Sequence, residues 1–258
     1  MAITEHPGAP QGTSLEQISI WLLQGLFAVG CIFYAVMAFD YFISFAADRQ
    51  GLWTRVFTLL SSREHALGSG SVHVDQKHAY TEGYRFMLMH TTMGAFALAV
   101  GPFQFMGKIR RRYPAAHRLM GKIYLIGAVL SMFAGIAYLS STAFQEVYSG
   151  TPFAIALYAL DLAVLYTAWL AYSAIRRRDV MRHQAWMAFN FGLLFATPLL
   201  RILWVAFAWA FPGVEQAQNN LGITTFLLPL SLFGAMIWIT AQRPAVPSKA
   251  SNVSSDLS

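Results

Sequence analysis

The chain has 258 residues, 56% of them hydrophobic and only 12% charged, with a mean hydropathy of +0.47. Ordinary soluble domains carry about a quarter charged residues, so this composition excludes that class and describes a membrane protein. The net charge of +6 does not describe a nucleic-acid surface, because the basic residues fall between apolar runs.

No Lys or Arg occurs in residues 1–17. The first apolar run therefore lacks the basic start of a cleaved signal and reads as a retained span. Six runs have the length a bilayer requires: Ile18–Phe45, Tyr84–Phe105, Leu119–Leu139, Phe153–Ala174, Ala185–Phe211 and Leu221–Ala241. Inside lipid the backbone must satisfy its own hydrogen bonds, so each run predicts a helix. The expected fold is an all-α integral membrane protein with six transmembrane helices, spans two to five forming a four-helix core. Its parts are a tail (1–17), a first span (18–45), an external loop (46–83), a five-helix transmembrane domain (84–241) and a disordered tail rich in Pro and Ser (242–258). Within the loop, Trp53–Leu67 interleaves apolar residues with Arg55, Arg63 and Glu64, as an interfacial helix does. Gly68-Ser-Gly-Ser71 reads as a flexible joint.

Basic residues gather in alternate connections: Lys108, Arg110, Arg111, Arg112 and Arg118, then Arg176, Arg177, Arg178 and Arg182, then Arg243 and Lys249. The positive-inside rule puts these connections and both termini on the cytoplasmic side of a bacterial inner membrane.

Arg201 stands alone in the otherwise uncharged stretch Phe191–Trp209. A guanidinium keeps its proton, so it needs a partner, water or a route to the surface, and a site is the default hypothesis. Depth along the helices, at 1.5 Å per residue, puts Asp161 about 12 Å, Arg201 roughly 15 Å and His90 about 9 Å below the outer surface, with Asp40 in the same zone. The expected partner of Arg201 is Asp161, in a pair that either locks two helices or marks a pathway. On span five, His183, Asn190, Thr197 and Arg201 share one helical stripe. The intramembrane polar site expected from these positions is His90, Asp161, Asn190, Thr197 and Arg201. Two further stripes are small between polar ends: His90, Gly94, Ala97, Gly101 and Gln104 on span two, and His117, Gly121, Tyr124, Ala128, Ser131, Gly135 and Tyr138 on span three. Such stripes allow close helix contact or leave room for a flat ligand.

His117 and His183 open spans three and five at a common depth, as two axial ligands of one b-type haem would. Arg118 and Arg182 beside them suit haem propionates or a quinone or phosphate head group. Anchoring of helix ends at lipid phosphates is the plainer reading of the same residues. Cys31 is the only cysteine, which excludes an intrachain disulfide. The loop segment His73-Val-Asp75-Gln-Lys-His78 lacks helical zinc spacing, so no metal site is expected. Nucleotide-binding motifs are absent from the sequence.

Several motifs occur in order: Gly101-Pro102 with Gln104; His117-Arg118 with Gly121 and Tyr124; Arg182-His183 with Trp186 and Met187; Phe195-Ala196 with Leu200 and Arg201. Across about Met87–Trp204 the chain resembles domain-of-unknown-function family 2306, a bacterial family of predicted membrane proteins. Lys122 stands where that family usually has arginine, and Gln184 and Ala188 where it tends to be basic. The resemblance implies architecture and marked residues without a reaction. The His117-Arg118 opening is also similar to a helix start in ascorbate-reducible b-type cytochromes, although His90 has no histidine at its own depth. The function expected first is haem-binding or redox activity at the membrane, with a quinone or other small molecule as ligand. The alternatives are a proton- or anion-linked transporter built on His90, Asp161 and Arg201, and a non-catalytic assembly or lipid-interacting protein.

Overall fold

The computed structural model describes residues 15–47 and 49–224, and every regular element among them is a helix. The first, α1 (Leu15–Ala46), is followed by four short helices, α2 (Leu52–Leu60), α3 (Arg63–Leu67), α4 (Val72–Asp75) and α5 (Lys77–Glu82). Then come α6 (Tyr84–Gln104), the basic turn α7 (Gly107–Arg112), α8 (Pro114–Ser141), α9 (Thr151–Arg176), α10 (Val180–Leu194) and α11 (Ala196–Ala210). Residues 216–224 are helical as well.

Among the described residues five helices are long and apolar enough to cross a membrane: Ile18–Ala46, Tyr84–Gln104, Pro114–Ser141, Thr151–Arg176 and Val180–Ala210. The expected sixth span, Leu221–Ala241, lies outside the described residues beyond residue 224, as do the tails 1–14 and 225–258. The apolar faces turn outward, as lipid solvates them; Leu26 on α1 is 71% exposed.

Local chemistry sets the helix ends. Pro114 and Pro152 occupy first-turn positions of α8 and α9, where a missing N–H costs nothing. Gly150, at φ +75°, makes the turn into α9 that a side chain would strain. Span five is two helices rather than one, divided at Phe195. Pro198 is the cause: it cannot donate to the Leu194 carbonyl, so the ladder breaks there.

In the bundle α6 packs on α8 and α1, α8 on α9, and α9 on α10. The two small-residue stripes meet face to face. A Cβ at Gly127 would stand 2.8 Å from the Met93 carbonyl oxygen, one at Gly94 would be 3.0 Å from Ser131 Oγ, and one at Gly121 would be 3.1 Å from Gln104 Oε1. Close helix contact therefore fills the stripes at Gly94, Gly121 and Gly127.

The end of the bundle away from the basic connections carries a cap made of α2–α5, the connection after α8 and the segment after α11. Gly70 O accepts from Ala217 N and Tyr148 Oη, Val72 N donates to Gln216 Oε1, and Gln76 Nε2 donates to Glu146 O. Trp204 Nε1 donates to Asn220 Oδ1, and Asn220 Nδ2 to Ser149 Oγ. The Gly68–Ser71 stretch, expected as a flexible joint, is a hydrogen-bonded hub in which Ser71 is fully buried. Asp40 fastens the cap to α1: its carboxylate accepts from Leu52 N at the start of α2, from Ser44 Oγ and from Arg49 Nη2. Asp40 is thereby committed to capping and is not part of a deeper polar cluster.

Candidate functional site

Arg201 sits on the first turns of α11, just past the break, and its guanidinium turns toward α1 and the cap. It lies 4.0 Å from the Trp204 ring centroid and 5.5 Å from that of Trp53. Its Nη1 is buried with no hydrogen-bond partner among the described residues. Tyr34 of α1 is the neighbouring hydroxyl, which its charge reaches and which is close enough to hydrogen-bond to the rest of the guanidinium. The expected pair with Asp161 does not form: no Arg201 ion pair occurs among the described residues. Arg201, on α11, meets Trp53 of α2 and Tyr34 of α1, while Asp161, on α9, lies against His90 of α6 and Gly135 of α8.

Arg201 lines a cavity of about 120 Å³ beneath the cap. Its walls include Tyr34 and Tyr41 of α1, Trp53 of α2, Tyr80 of α5, His90 of α6 and Thr197 of α11. The structure thus places His90, Thr197 and Arg201 around one space. An engineered apolar cavity of roughly 150 Å³ accommodates benzene, so this one suits a ligand of about one ring or a few carbons. Tyr80 lies in the cap, and burial pushes its phenol above the ordinary value; Arg201 opposes the shift and Tyr34 adds to it. Tyr80 is consequently a neutral hydroxyl beside the guanidinium.

His90 is fixed by α8. Its Nδ1 is 2.9 Å from the Ser131 carbonyl oxygen, which can only accept, so Nδ1 carries the hydrogen. Ser131 Oγ donates in turn to the His90 carbonyl at 2.7 Å. The ring's Nε2 remains as the acceptor. Asp161 approaches from the other side. A Cβ at Gly135 would lie 2.7 Å from Asp161 Oδ2 and 3.0 Å from His90 Nδ1, so only glycine lets the two side chains share that space. Asp161 is 5% exposed and has no hydrogen-bond or ion-pair partner among the described residues.

Asn190, expected in the same polar site, is elsewhere. It is fully buried nearer the basic end, where Nδ2 donates to Val164 O at 2.7 Å and to Thr167 Oγ1 at 2.9 Å, and Oδ1 accepts from Tyr124 Oη at 2.7 Å. This knot ties α8, α9 and α10. Interhelical hydrogen bonds in membranes average about 0.6 kcal/mol, and stranding the buried Tyr124 hydroxyl adds about 1–3 kcal/mol. Asn190→Leu should therefore cost about 2–4 kcal/mol in reversible unfolding, while Thr167→Val should cost under about 1 kcal/mol.

At the basic end His117 and His183 are near enough to act on each other electrostatically, and Arg110 and Arg118 act on His117 too. His183 Nδ1 donates to Ala171 O at 2.9 Å, whereas His117 Nδ1 is buried without a partner among the described residues. An axial histidine ordinarily donates that hydrogen to a carbonyl or carboxylate. Tyr124 and Asn190 lie seven residues beyond the two histidines on the same stripes, and their bond joins α8 and α10 there. Phe191 also fills the notch at Gly101. The expectation of His117 and His183 as haem ligands, with Arg118 and Arg182 on its propionates, finds no support in this arrangement. Arg182 instead pairs with Asp179 at 3.3 Å on the surface.

Sequence reasoning missed Tyr34, Tyr41, Trp53 and Tyr80 as site residues. Aromatic residues in apolar runs look like packing, and only the fold of the loop brings Trp53 and Tyr80 over Arg201. The model of the predicted membrane protein family DUF2306 matches residues 87–238, which hold His90, Asp161 and Arg201 but not α1 or the α2–α5 part of the cap. No curated protein and no solved structure matches the chain.

Proposed function

The chain belongs to the DUF2306 family of predicted membrane proteins, and we propose that it binds a small carboxylate at Arg201 and carries it across the membrane linked to a proton. One observation supports this above all: a buried guanidinium nitrogen without a partner beside a cavity of about 120 Å³. A charge in such a place is retained at a cost of several kcal/mol unless something pairs with it, and a carboxylate matches the guanidinium fork. Tyr34, Tyr41, Tyr80 and Trp53 would enclose the apolar body of the ligand, which the volume limits to about one ring.

His90 and Asp161 supply the proton-linked part. His90 lines both this cavity and a second one that holds Asp161, and its Nε2 can accept a proton. An unpaired carboxyl beyond it can hold one. Histidine and carboxyl groups within a bundle mark proton relays in membrane proteins. The positive-inside rule orients the protein with its basic connections and both termini in the cytoplasm of a bacterial inner membrane, so the capped cavity faces outward.

Uptake of labelled benzoate into proteoliposomes, driven by an acidic exterior, tests the proposal. Uptake should exceed that of empty liposomes, fall to background in Arg201→Leu, and lose its dependence on the pH gradient in Asp161→Asn. Equal uptake by the parent and both variants would remove these residues from transport.

A further inference from the structure

We infer that the second cavity, on the Asp161 side of His90, is a binding site for an organic ammonium group. It has a volume of about 80 Å³ and shares Tyr80, Met87 and His90 with the Arg201 cavity. One carboxyl group enters it, that of Asp161, which is 5% exposed and has no partner among the described residues. Gln76 and His90 also reach the wall, Gln76 already bonded to Glu146 O and Tyr138, and most of the remainder is aromatic and aliphatic: Tyr80, Tyr138, Tyr148, Phe153 and Leu157. Tyr138 Oη donates to Gln76 Oε1 at 3.2 Å and Tyr148 Oη to Gly70 O at 2.9 Å. Both hydroxyls are thus engaged by the cap, and their rings are what remains for a ligand.

Rings around a lone carboxylate select one chemistry. An ammonium group gains from ring faces and from the opposite charge, and it needs few oxygen donors. A calcium or magnesium ion requires about six oxygen ligands, and no group of three His, Cys, Asp or Glu side chains suited to a metal occurs among the described residues. An anion would meet the Asp161 carboxyl. Gly135 matters because any side chain there would push Asp161 Oδ2 and the His90 ring apart. The ammonium group arrives either as a separate amine or as the far end of a zwitterion whose carboxylate lies at Arg201. Only the second case rests on the transport proposal above.

The full-length protein in detergent is titrated with tetramethylammonium chloride against sodium chloride at matched ionic strength, by calorimetry. Saturable tetramethylammonium binding is expected, weakened at least about tenfold by Asp161→Asn and by Leu157→Phe, and unchanged in Arg201→Leu. Leu157→Phe narrows the space while keeping the carboxyl, so it decides the matter if Asp161→Asn fails to fold. With 4-aminobutyrate, binding tighter than that of tetramethylammonium, and lost in both Asp161→Asn and Arg201→Leu, identifies the site as one end of a zwitterion site. Binding no tighter than that of tetramethylammonium identifies a separate amine. Heats no different from sodium chloride, or equal tetramethylammonium binding in the parent, Asp161→Asn and Leu157→Phe, would overturn the inference.

Discussion

Arg201→Leu should abolish carboxylate binding, weakening benzoate by at least about 100-fold in calorimetry, while leaving the unfolding free energy unchanged or higher. The two halves of this expectation come from different terms. A charge-assisted, bidentate contact in a low-dielectric cavity is among the stronger polar interactions available, and among the described residues no other Lys or Arg lines the cavity. Stability is governed by another balance. Stacking on Trp53 and Trp204 favours the guanidinium by about 1–2 kcal/mol per ring, whereas burying a charge with an unpartnered nitrogen costs several kcal/mol. Leucine removes both terms, and the cost is the larger. Had Arg201 been one half of a buried ion pair, its removal would cost about 3–5 kcal/mol. A loss of that size with benzoate binding intact would mark Arg201 as a structural staple.

The second large effect is expected at Gly127, far from any ligand. The Cβ of Gly127→Ala would meet the Met93 carbonyl oxygen at 2.8 Å, a backbone atom that no rotamer change can move. Helices α6 and α8 must separate, which costs about 1–3 kcal/mol. Gly127→Leu should prevent the pair from forming. At Gly101 the opposing atom is the edge of the Phe191 ring, itself packed against Phe27, Phe105 and Tyr124, so Gly101→Ala should destabilise the bundle as well. On α1, Gly30 faces open space, and Gly30→Ala should raise stability by about 0.5–1 kcal/mol through helix propensity alone. Unfolding midpoints in one detergent check the order. Equal effects at Gly127 and Gly30 would mean that α6 and α8 are not in backbone contact.

The five described spans were legible because run length and backbone hydrogen bonding in lipid leave few alternatives, and the ends of α6 and α9 fall within two residues of those read from the sequence. Arg201 was legible as a charge out of place. Its surroundings were not. Counting residues gives depth along a helix but not the direction a side chain takes around it. Asp161 and Arg201 thus came out level in the sequence reading yet sit on opposite sides of His90 in the fold. The cap was the larger omission. It is built from hydrogen bonds between residues as distant as Val72 and Gln216, or His65 and Val214, and no local pattern reports such pairings. Stripes of small residues carried two meanings in the sequence; the approach of Gly127 to Met93 O selects helix contact.

A structure of the protein with 4-bromobenzoate, using anomalous scattering from bromine, tests the central claim most directly. The account predicts one bromine peak in the cavity between Tyr34, Tyr41 and Tyr80, with the carboxylate within hydrogen-bond distance of Arg201. A cavity without bromine at saturating ligand, or bromine bound elsewhere with Arg201 unengaged, would contradict it.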